Sequence, residues 1–224
     1  MRPIAKIYTD FPEKFGLPRQ SGLIKELRGK IIFEPEYRDI SAVRGLDKYS
    51  HIWLLWQFSG FDGGDWSPTV RPPRLGGNKR MGVFATRSPN RPNPIGLSAV
   101  RLEKISFDEK LGAVLEVSGI DMMNGTPIYD IKPYLSFADS YPEAVCGFAD
   151  EKFAEKAAVE IPESIANQLG AETLLQLREI LAEDPRPHYQ NDPERIYGFT
   201  FKNREIRFRA ANGVIKLLSA EIET

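Results

Sequence analysis

The segment from Arg71 to Ser98 limits what this chain can fold into more than any other stretch. Nine of its residues are proline or glycine: Pro72, Pro73, Pro89, Pro92, Pro94, Gly76, Gly77, Gly82 and Gly96. Proline fixes φ at about −65°, whereas glycine also accepts positive φ. The pattern therefore predicts a loop of defined shape rather than one long helix or strand.

The same part of the chain carries a segregated positive charge. No acidic residue lies between Asp65 and Glu103, whereas seven basic residues do: Arg71, Arg74, Lys79, Arg80, Arg87, Arg91 and Arg101. The formal net charge of the chain is −1, so subtracting these seven charges leaves −8 on the rest. Segregated charge indicates a partner rather than a fold. A rigid basic loop suits an anion or a polyanion, and the alternative is a solvated basic surface with structural turns.

Composition excludes several classes of protein. The 224 residues are 42% hydrophobic, which is ample for a packed core. The single cysteine, Cys146, excludes an intramolecular disulfide and suits a reducing compartment. Two histidines and one cysteine do not supply the ligand pattern of a zinc site, so no metal is expected. We find no signal peptide and no apolar run of about 20 residues, and we expect a cytoplasmic protein without a membrane segment.

Short apolar stretches with turn signals about every ten residues predict an N-terminal domain of β-strands. The predicted strands cover residues 4–8, 31–33, 52–58, 81–86, 97–105, 114–120 and 128–135. Many short strands with few helices favour a closed or nearly closed β-barrel. The most apolar of them, residues 52–58, reads as a strand buried on both faces, and His51 beside it reads as a packed core histidine.

The composition changes after Tyr141-Pro142, which divides the chain into domains 1–142 and 143–224. A short strand is predicted over 157–161 and a helix is predicted to begin at Pro162, with Gly170 separating it from a second helix. Residues 196–201 and 205–210 read as a hairpin, and Asn212-Gly213 as the turn before a last strand, 214–222. The fold class is therefore mainly β, with a barrel-like N-terminal domain and a small α+β C-terminal domain.

The sequence Gly82-Val-Phe-Ala-Thr-Arg-Ser-Pro-Asn-Arg-Pro-Asn-Pro-Ile-Gly-Leu-Ser98 resembles the signature of the TsaA/TrmO family of S-adenosylmethionine-dependent tRNA methyltransferases. The resemblance runs from Ile4 to Tyr134 and returns in the tail from Asp184 to Gly198. It implies a single-sheet barrel, S-adenosylmethionine as cofactor, tRNA as partner and a homodimer. The implied reaction methylates N6 of threonylcarbamoyl-adenosine beside the anticodon. No Gly-x-Gly-x-x-Gly motif follows a predicted strand, which agrees with a departure from the doubly wound methyltransferase fold.

The resemblance also implies which residues bind the cofactor: Pro18, Arg19, Gln20, Ser59, Gly60, Arg87, Leu97, Asn124, Gly125, Thr126 and Pro127. Arginine pairs with a carboxylate through two parallel hydrogen bonds, so we expect Arg87 or Arg19 to hold the carboxylate of the cofactor. Two positions depart from the family pattern. Ser59-Gly60 stands where relatives often have His-Gln, and Asn124 stands where they often have Asp. The lost charge either lowers cofactor affinity or is compensated by a nearby acid such as Asp121.

The remaining site residues concern the substrate. Asn93 and Asp130 are the candidate catalytic residues, since a positioned acceptor can hold the N6 amine or take its proton. The candidate tRNA-binding residues are the basic ones that precede and enter the signature, namely Arg71, Arg74, Lys79, Arg80 and Arg91. Trp66, Tyr189 and Tyr197 are candidates for stacking on extruded bases.

Two other functions stay open at this point. The chain could be a non-catalytic module that binds S-adenosylmethionine and RNA and regulates another protein. It could also be an enzyme of another class, such as a phosphodiesterase that uses the basic loop, although the absence of metal-ligand clusters in the sequence counts against this. Cofactor binding separates the phosphodiesterase from the other two, and turnover separates the methyltransferase from the regulatory module.

Overall fold

The computed structural model describes residues 1–60, 66–72, 79–152, 156–186 and 192–223. Six antiparallel strands close into a barrel in the order β1-β2-β7-β6-β3-β8. Their bounds are β1 Ala5–Thr9, β2 Arg28–Phe33, β3 His51–Gln57, β6 Ile95–Asp108, β7 Gly112–Ser118 and β8 Thr126–Pro133. Pairing of β8 with β1 closes the sheet. The barrel predicted from the sequence is confirmed.

Alternation along the strands places one set of side chains inside the barrel. In β3 the buried residues are Ile52, Leu54 and Trp56, and every second residue between them is partly exposed. The prediction that this strand is buried on both faces is therefore wrong, because a barrel strand has one inner and one outer face. His51 is likewise not a core histidine: it is partly exposed, and its Nδ1 lies 2.9 Å from Ser50 Oγ.

The connections between barrel strands are short and irregular. Between β2 and β3 the chain forms three 3-10 turns, Pro35–Tyr37, Ile40–Val43 and Leu46–Lys48. A separate two-stranded ribbon pairs β4, Thr69–Val70, with β5, Met81–Gly82. The strand predicted over 81–86 is wrong beyond Gly82, because a 3-10 turn follows at Val83–Ala85 and is closed by the N–H of Thr86 donating to the Val83 carbonyl.

The C-terminal part contains a four-stranded sheet in the order β10-β11-β12-β9. The strands are β9 Ala158–Glu160, β10 Tyr197–Phe201, β11 Arg204–Ala211 and β12 Val214–Ile222. The helices are α1 Ser136–Asp139, which follows the barrel, α2 Glu163–Ala166 and α3 Ala171–Ala182, and a 3-10 helix spans Gly147–Lys152. Pro162 precedes α2 with an extended ψ of 140° instead of forming its first residue, which corrects the prediction.

The C-terminal sheet packs on the segment that joins β1 to β2. The rings of Phe11 and Phe201 lie 5.0 Å apart between centroids. Gly16 has φ +90°, and a Cβ there would lie 2.6 Å from the Phe199 ring, so only glycine fits. The N–H of Thr200 donates to Glu13 Oε1 at 3.1 Å. These contacts fix the course of the β1–β2 segment, which leads directly into Pro18-Arg19-Gln20.

Candidate active site

A pocket of about 740 Å³ lies against β3 and β6, where two segments approach the barrel. One is the β1–β2 segment, and the other is the part of the signature that precedes β6, residues 82–94, here called the signature loop. Its size lies in the range of small-molecule and cofactor sites. Eight of the eleven residues predicted to bind the cofactor line it: Pro18, Arg19, Gln20, Ser59, Gly60, Arg87, Leu97 and Thr126. Segments far apart in the sequence therefore meet at one cavity.

Direct contacts join the predicted cofactor residues across the pocket. The Arg87 guanidinium donates to Gln20 Oε1, which ties the signature loop to the β1–β2 segment. Ser59 Oγ and Thr126 Oγ1 lie 3.2 Å apart, so the loop after β3 is held to the start of β8. Arg19 Nη2 donates to the carbonyl of Asp184 at 3.3 Å. Both arginines considered for the carboxylate are thus oriented by other parts of the chain.

The other three predicted cofactor residues lie in the turn before β8 and at the start of that strand. Asn124 Oδ1 accepts a hydrogen bond from the Thr9 N–H at 3.1 Å, and Gly125 has φ +77° with its N–H donating to the Ile7 carbonyl. Pro127 pairs with Lys6 of β1. This turn places Thr126 at the pocket. An asparagine at position 124 is sufficient for the turn, because the oxygen of its side-chain amide accepts the hydrogen bond from the Thr9 N–H.

The candidate catalytic residues lie outside the pocket lining. Asn93 is exposed and its carbonyl accepts the N–H of Ile95 at 2.8 Å. Asp130 lies on β8 opposite Leu55, with its carboxylate 2.9 Å from Lys132 Nζ. On the β3 side, Leu55 stands between Trp53 and Trp56, which do line the pocket.

The basic residues predicted to bind tRNA fall into two groups. Arg71, Lys79 and Arg80 are exposed at the β4–β5 ribbon, where Arg80 Nη1 donates to Thr69 Oγ1 at 2.9 Å. Arg91 instead folds the signature loop: its guanidinium donates to the carbonyls of Ser88, Val83 and Thr86 at 2.9, 3.2 and 2.6 Å. It also lines the pocket. Arg74 lies outside the described residues.

Of the three aromatic candidates, Trp66 is exposed and its ring stacks on Phe84, with centroids 6.4 Å apart and an interplanar angle of 26°. Phe84 is 75% exposed and lies in the 3-10 turn just before Arg87. The suggestion for Tyr197 is wrong, because this side chain is buried against Phe208 in the C-terminal sheet. Tyr189 lies outside the described residues.

Two aromatic residues of β3 and Phe58, which directly follows the strand, form a wall of the pocket that the sequence did not reveal. Trp53, Trp56 and Phe58 line it, and the Trp56 and Phe58 rings lie 4.4 Å apart between centroids. The Trp56 indole covers Gly96 on the neighbouring strand. Trp53 Nε1 donates to Asp139 Oδ2 at 2.9 Å, which anchors α1 to the barrel. The sequence shows the spacing of these aromatic residues. The prediction that the strand is buried on both faces left no face of it to line a pocket.

A hydrogen-bonded chain leads from this wall to an acidic side chain. Trp56 Nε1 donates to Ser98 Oγ at 2.9 Å, and Ser98 Oγ donates to Asp121 Oδ1 at 2.7 Å. Asp121 lines the pocket. Burial raises the pKa of Asp121 to about 6, while hydrogen bonds from Ser98 and from the backbone and the charge of Arg87 act in the opposite direction. These hydrogen bonds therefore hold a partly buried carboxylate at the pocket.

This carboxylate predicts a pH dependence of stability. Because the folded state binds the Asp121 proton more tightly than the unfolded state, the free energy of unfolding falls as pH rises through the window from 3.8 to about 6. Asp121→Asn should abolish that component, which amounts to about 3 kcal/mol for roughly two pKa units. Urea unfolding at pH 4 and pH 7 measures it, with Asp47→Asn, an exposed carboxyl, as control. Parallel pH profiles for the wild type and Asp121→Asn would contradict the burial of this group.

Two further searches cover only the described residues. No cluster of three or more histidine, cysteine or acidic side chains suited to a metal ion occurs among them. None of the helices in the described ranges has both the length and the apolar character needed to cross a bilayer.

Comparison with known proteins places these features in a family. Residues 6–140 match the tRNA-methyltransferase O N-terminal domain and residues 154–222 match the TrmO C-terminal domain. The tRNA (adenine(37)-N6)-methyltransferase of Escherichia coli K12 is 41% identical over 226 residues, covering 97% of this chain and 96% of that protein. A Pseudomonas aeruginosa PAO1 protein with the provisional name S-adenosylmethionine-dependent methyltransferase RcsF is 41% identical, covering 88% and 86%.

A solved structure agrees with the sequence matches. The crystal structure of TrmO from Pseudomonas aeruginosa superposes with a TM-score of 0.75 at 33% identity, covering 97% of this chain and 96% of that one. The match includes both the barrel and the C-terminal sheet, because it leaves only a few residues of either chain uncovered. The closed barrel, the signature loop at its pocket and both matched domains show that this chain belongs to the tRNA-methyltransferase O family.

Proposed function

We propose that the protein transfers a methyl group from S-adenosylmethionine to N6 of adenosine 37 in tRNA, and that this adenosine carries the threonylcarbamoyl group. The observation that carries the proposal is the convergence of eight predicted cofactor residues on one pocket. The names of the relatives from Escherichia coli and Pseudomonas aeruginosa support the reaction and the methyl donor, respectively.

The pocket residues suit the parts of this cofactor. Arg87 presents a guanidinium for the carboxylate, and its contact with Gln20 holds it in place. The wall of Trp53, Trp56 and Phe58 offers apolar surface for the adenine ring. Ser59 and Thr126 bring two hydroxyl groups together for the hydroxyls of the ribose. In this arrangement the methyl donor is bound between the β1–β2 segment, strands β3 and β6, and the turn before β8.

The proposed reaction is an in-line displacement. The N6 lone pair forms a bond to the methyl carbon, the C–S bond breaks, and its electron pair returns to sulfur, which becomes a neutral thioether. N6 then loses its proton. The threonylcarbamoyl group places N6 between an aromatic ring and a carbonyl, so this proton is more acidic than in plain adenosine, and a positioned acceptor is sufficient. Asp130 remains the proposed acceptor of this proton, and Asn93 the proposed hydrogen-bond acceptor that holds N6. The protein otherwise contributes chiefly position and desolvation.

We place the tRNA at the β4–β5 ribbon beside the pocket. Arg71, Lys79 and Arg80 are exposed there and offer charge for phosphates. Next to them the exposed Trp66 and Phe84 rings form an aromatic pair, on which an unstacked base of the anticodon loop can lie. Phe84 precedes Arg87 of the pocket by three residues, so a base stacked here enters the region of the cofactor.

Removal of this aromatic pair should weaken tRNA binding selectively. We expect Phe84→Ala and Trp66→Ala each to raise KM for tRNA about tenfold, since stacking on a side chain contributes roughly 1–3 kcal/mol per base, and to leave cofactor affinity unchanged. Filter binding and steady-state kinetics measure the two effects, with Phe107→Ala, an exposed ring at the distal end of β6, as control. An unchanged KM, or tRNA binding that is insensitive to added salt, would contradict the placement at the basic ribbon.

The homodimer and the cytoplasmic location implied by the family resemblance are also proposals. The stretch after the barrel exposes Phe137, Tyr141 and Val145 by 87%, 68% and 90%. Several exposed apolar side chains within one short stretch of sequence suit a surface that another chain covers. A second copy of this protein is the partner that we propose for them.

The function is tested by mass spectrometry of nucleosides from tRNA incubated with purified protein, with and without S-adenosylmethionine. The tRNA is prepared in two forms, one with threonylcarbamoyl-adenosine at position 37 and one with unmodified adenosine. A cofactor-dependent methyl group on the first form alone supports the whole proposal, whereas methylation of both forms supports only the reaction at adenosine 37. Cofactor binding without a methylated nucleoside on either form would favour the regulatory module instead.

A further inference from the structure

Among the residues that line the described pocket, Asp121 is the one with an acidic side chain. The other charged lining residues are all basic: Lys14, Arg19, Arg87 and Arg91. The cofactor of the proposed function carries one negative group, its carboxylate, and two positive groups, the α-ammonium and the sulfonium. The four basic residues can serve only the carboxylate, which leaves Asp121 as the side chain with a charge complementary to the positive groups.

The hydrogen bonds of Asp121 distinguish between these two positive groups. A carboxylate has about four lone-pair sites. A hydrogen bond from Ser98 Oγ already occupies one of these sites, and the backbone N–H groups of Ser21 and of Asp121 itself act to lower the pKa of this carboxyl. An ammonium needs a free acceptor for each N–H, whereas a methylated sulfur has no N–H or O–H and responds to charge alone. The arrangement therefore suits the sulfonium better than the ammonium.

The anchoring also keeps the charge in one place. Ser98 is buried in β6 and is itself held by Trp56 Nε1 at 2.9 Å, so the carboxylate is tied to the pocket wall through two hydrogen bonds in series. A negative charge fixed in advance needs no rearrangement when a cation arrives, and in a partly buried site its attraction exceeds the value in water.

We infer that Asp121 is the counter-charge of the cofactor sulfonium and makes the pocket prefer the charged methyl donor over the neutral thioether that remains after transfer. The inference rests on the proposed function. When the methyl group leaves, the electron pair of the C–S bond stays on sulfur and the positive charge disappears, so the attraction of Asp121 disappears with it. Release of the spent cofactor is thereby favoured over release of the donor.

Titration calorimetry with S-adenosylmethionine, S-adenosylhomocysteine and sinefungin tests this inference. Sinefungin carries a protonated amine where the donor has its methylated sulfonium, so it reports on charge without reacting. In Asp121→Asn we expect Kd for the two charged ligands to rise about tenfold, and Kd for S-adenosylhomocysteine to change less than about twofold. Asp47→Asn, an exposed carboxyl outside the pocket, is the matched control.

A pH series on the wild-type protein gives an independent reading that needs no variant. Burial raises the pKa of Asp121 to about 6, against the opposing effects of Ser98, Ser21 and Arg87. Protonation at pH 5 should therefore reduce the preference for donor over thioether. Equal weakening of all three ligands in Asp121→Asn, or a preference that is constant between pH 5 and pH 8, would overturn the inference. If the wild type binds none of the three ligands, the proposed function itself fails.

Discussion

Replacing Gly96 with alanine is expected to destabilise the protein by about 2–4 kcal/mol, through overpacking of the core and a lost hydrogen bond, and to abolish cofactor binding. A Cβ at this position would overlap the Trp56 indole, with Cδ2 of the ring 2.6 Å away. Since Trp56 is only 6% exposed, the ring cannot swing into solvent without opening the barrel. Its displacement would break the hydrogen bond to Ser98 and leave Asp121 without its anchor. Urea unfolding and calorimetry measure the two effects.

Gly82→Ala is the matched control, because Gly82 has φ −56° and nothing lies within 4 Å of a Cβ added there. A second variant that combines Gly96→Ala with Trp56→Leu makes space for the added methyl group. It should recover part of the lost stability and none of the cofactor affinity, since the aromatic wall is gone. Wild-type stability of Gly96→Ala would show that the Trp56 ring does not lie over β6 as described.

Arg87→Ala is expected to weaken S-adenosylmethionine binding by about 30-fold or more, and kcat/KM for tRNA by at least as much. In the proposed site, this change removes a paired, charge-assisted contact and leaves the cofactor carboxylate without a partner. The same change removes the Arg87–Gln20 contact, so the signature loop loses its tie to the β1–β2 segment. Calorimetry measures the affinity, and single-turnover methylation at saturating cofactor separates binding from the chemical step.

Arg101→Ala provides the comparison for this variant. Arg101 belongs to the same acid-free stretch, but its guanidinium pairs with Glu103 at 3.4 Å and it does not line the pocket. Removing its charge should therefore leave cofactor affinity within about twofold, as exposed ion pairs contribute little. Arg87→Lys keeps the charge and loses the planar fork, so an intermediate affinity is expected. If Arg87→Ala binds the cofactor as the wild type does, the carboxylate is held elsewhere, with Arg19 as the next candidate.

The barrel was predictable because its signal is local. Residues of alternating polarity, broken by turn residues, specify a half-buried strand wherever they occur, and β6 shows this pattern from Ile95 onward. The residues predicted to bind the cofactor were selected on another ground, since they belong to motifs that resemble those of a known family. Eight of them line the pocket, whereas Asn124 and Gly125 shape the turn before β8 and Pro127 belongs to that strand.

The parts that the sequence did not reveal depend on contacts between distant residues. Trp56 and Asp121 are 65 positions apart by number, and only the pairing of β3 with β6 brings Ser98 between them. The sequence predicts Phe84 within a strand, whereas a 3-10 turn places it on the surface beside Trp66. The periodicity of the sequence does not specify such long-range contacts, because they depend on how the strands pair around the barrel.

The packing of the C-terminal sheet on the β1–β2 segment has a thermodynamic consequence for the pocket. Phe201, Phe199 and Thr200 hold that segment from one side, while a ligand bound at Pro18-Arg19-Gln20 would hold it from the other. The sheet and the ligand both order the β1–β2 segment. Whichever contact forms first reduces the conformational entropy that the segment loses when the other forms, so each stabilises the other. Occupancy of the pocket and folding of the smaller sheet are thus linked equilibria. A methyl donor bound there as proposed would stabilise a sheet whose residues do not line the pocket.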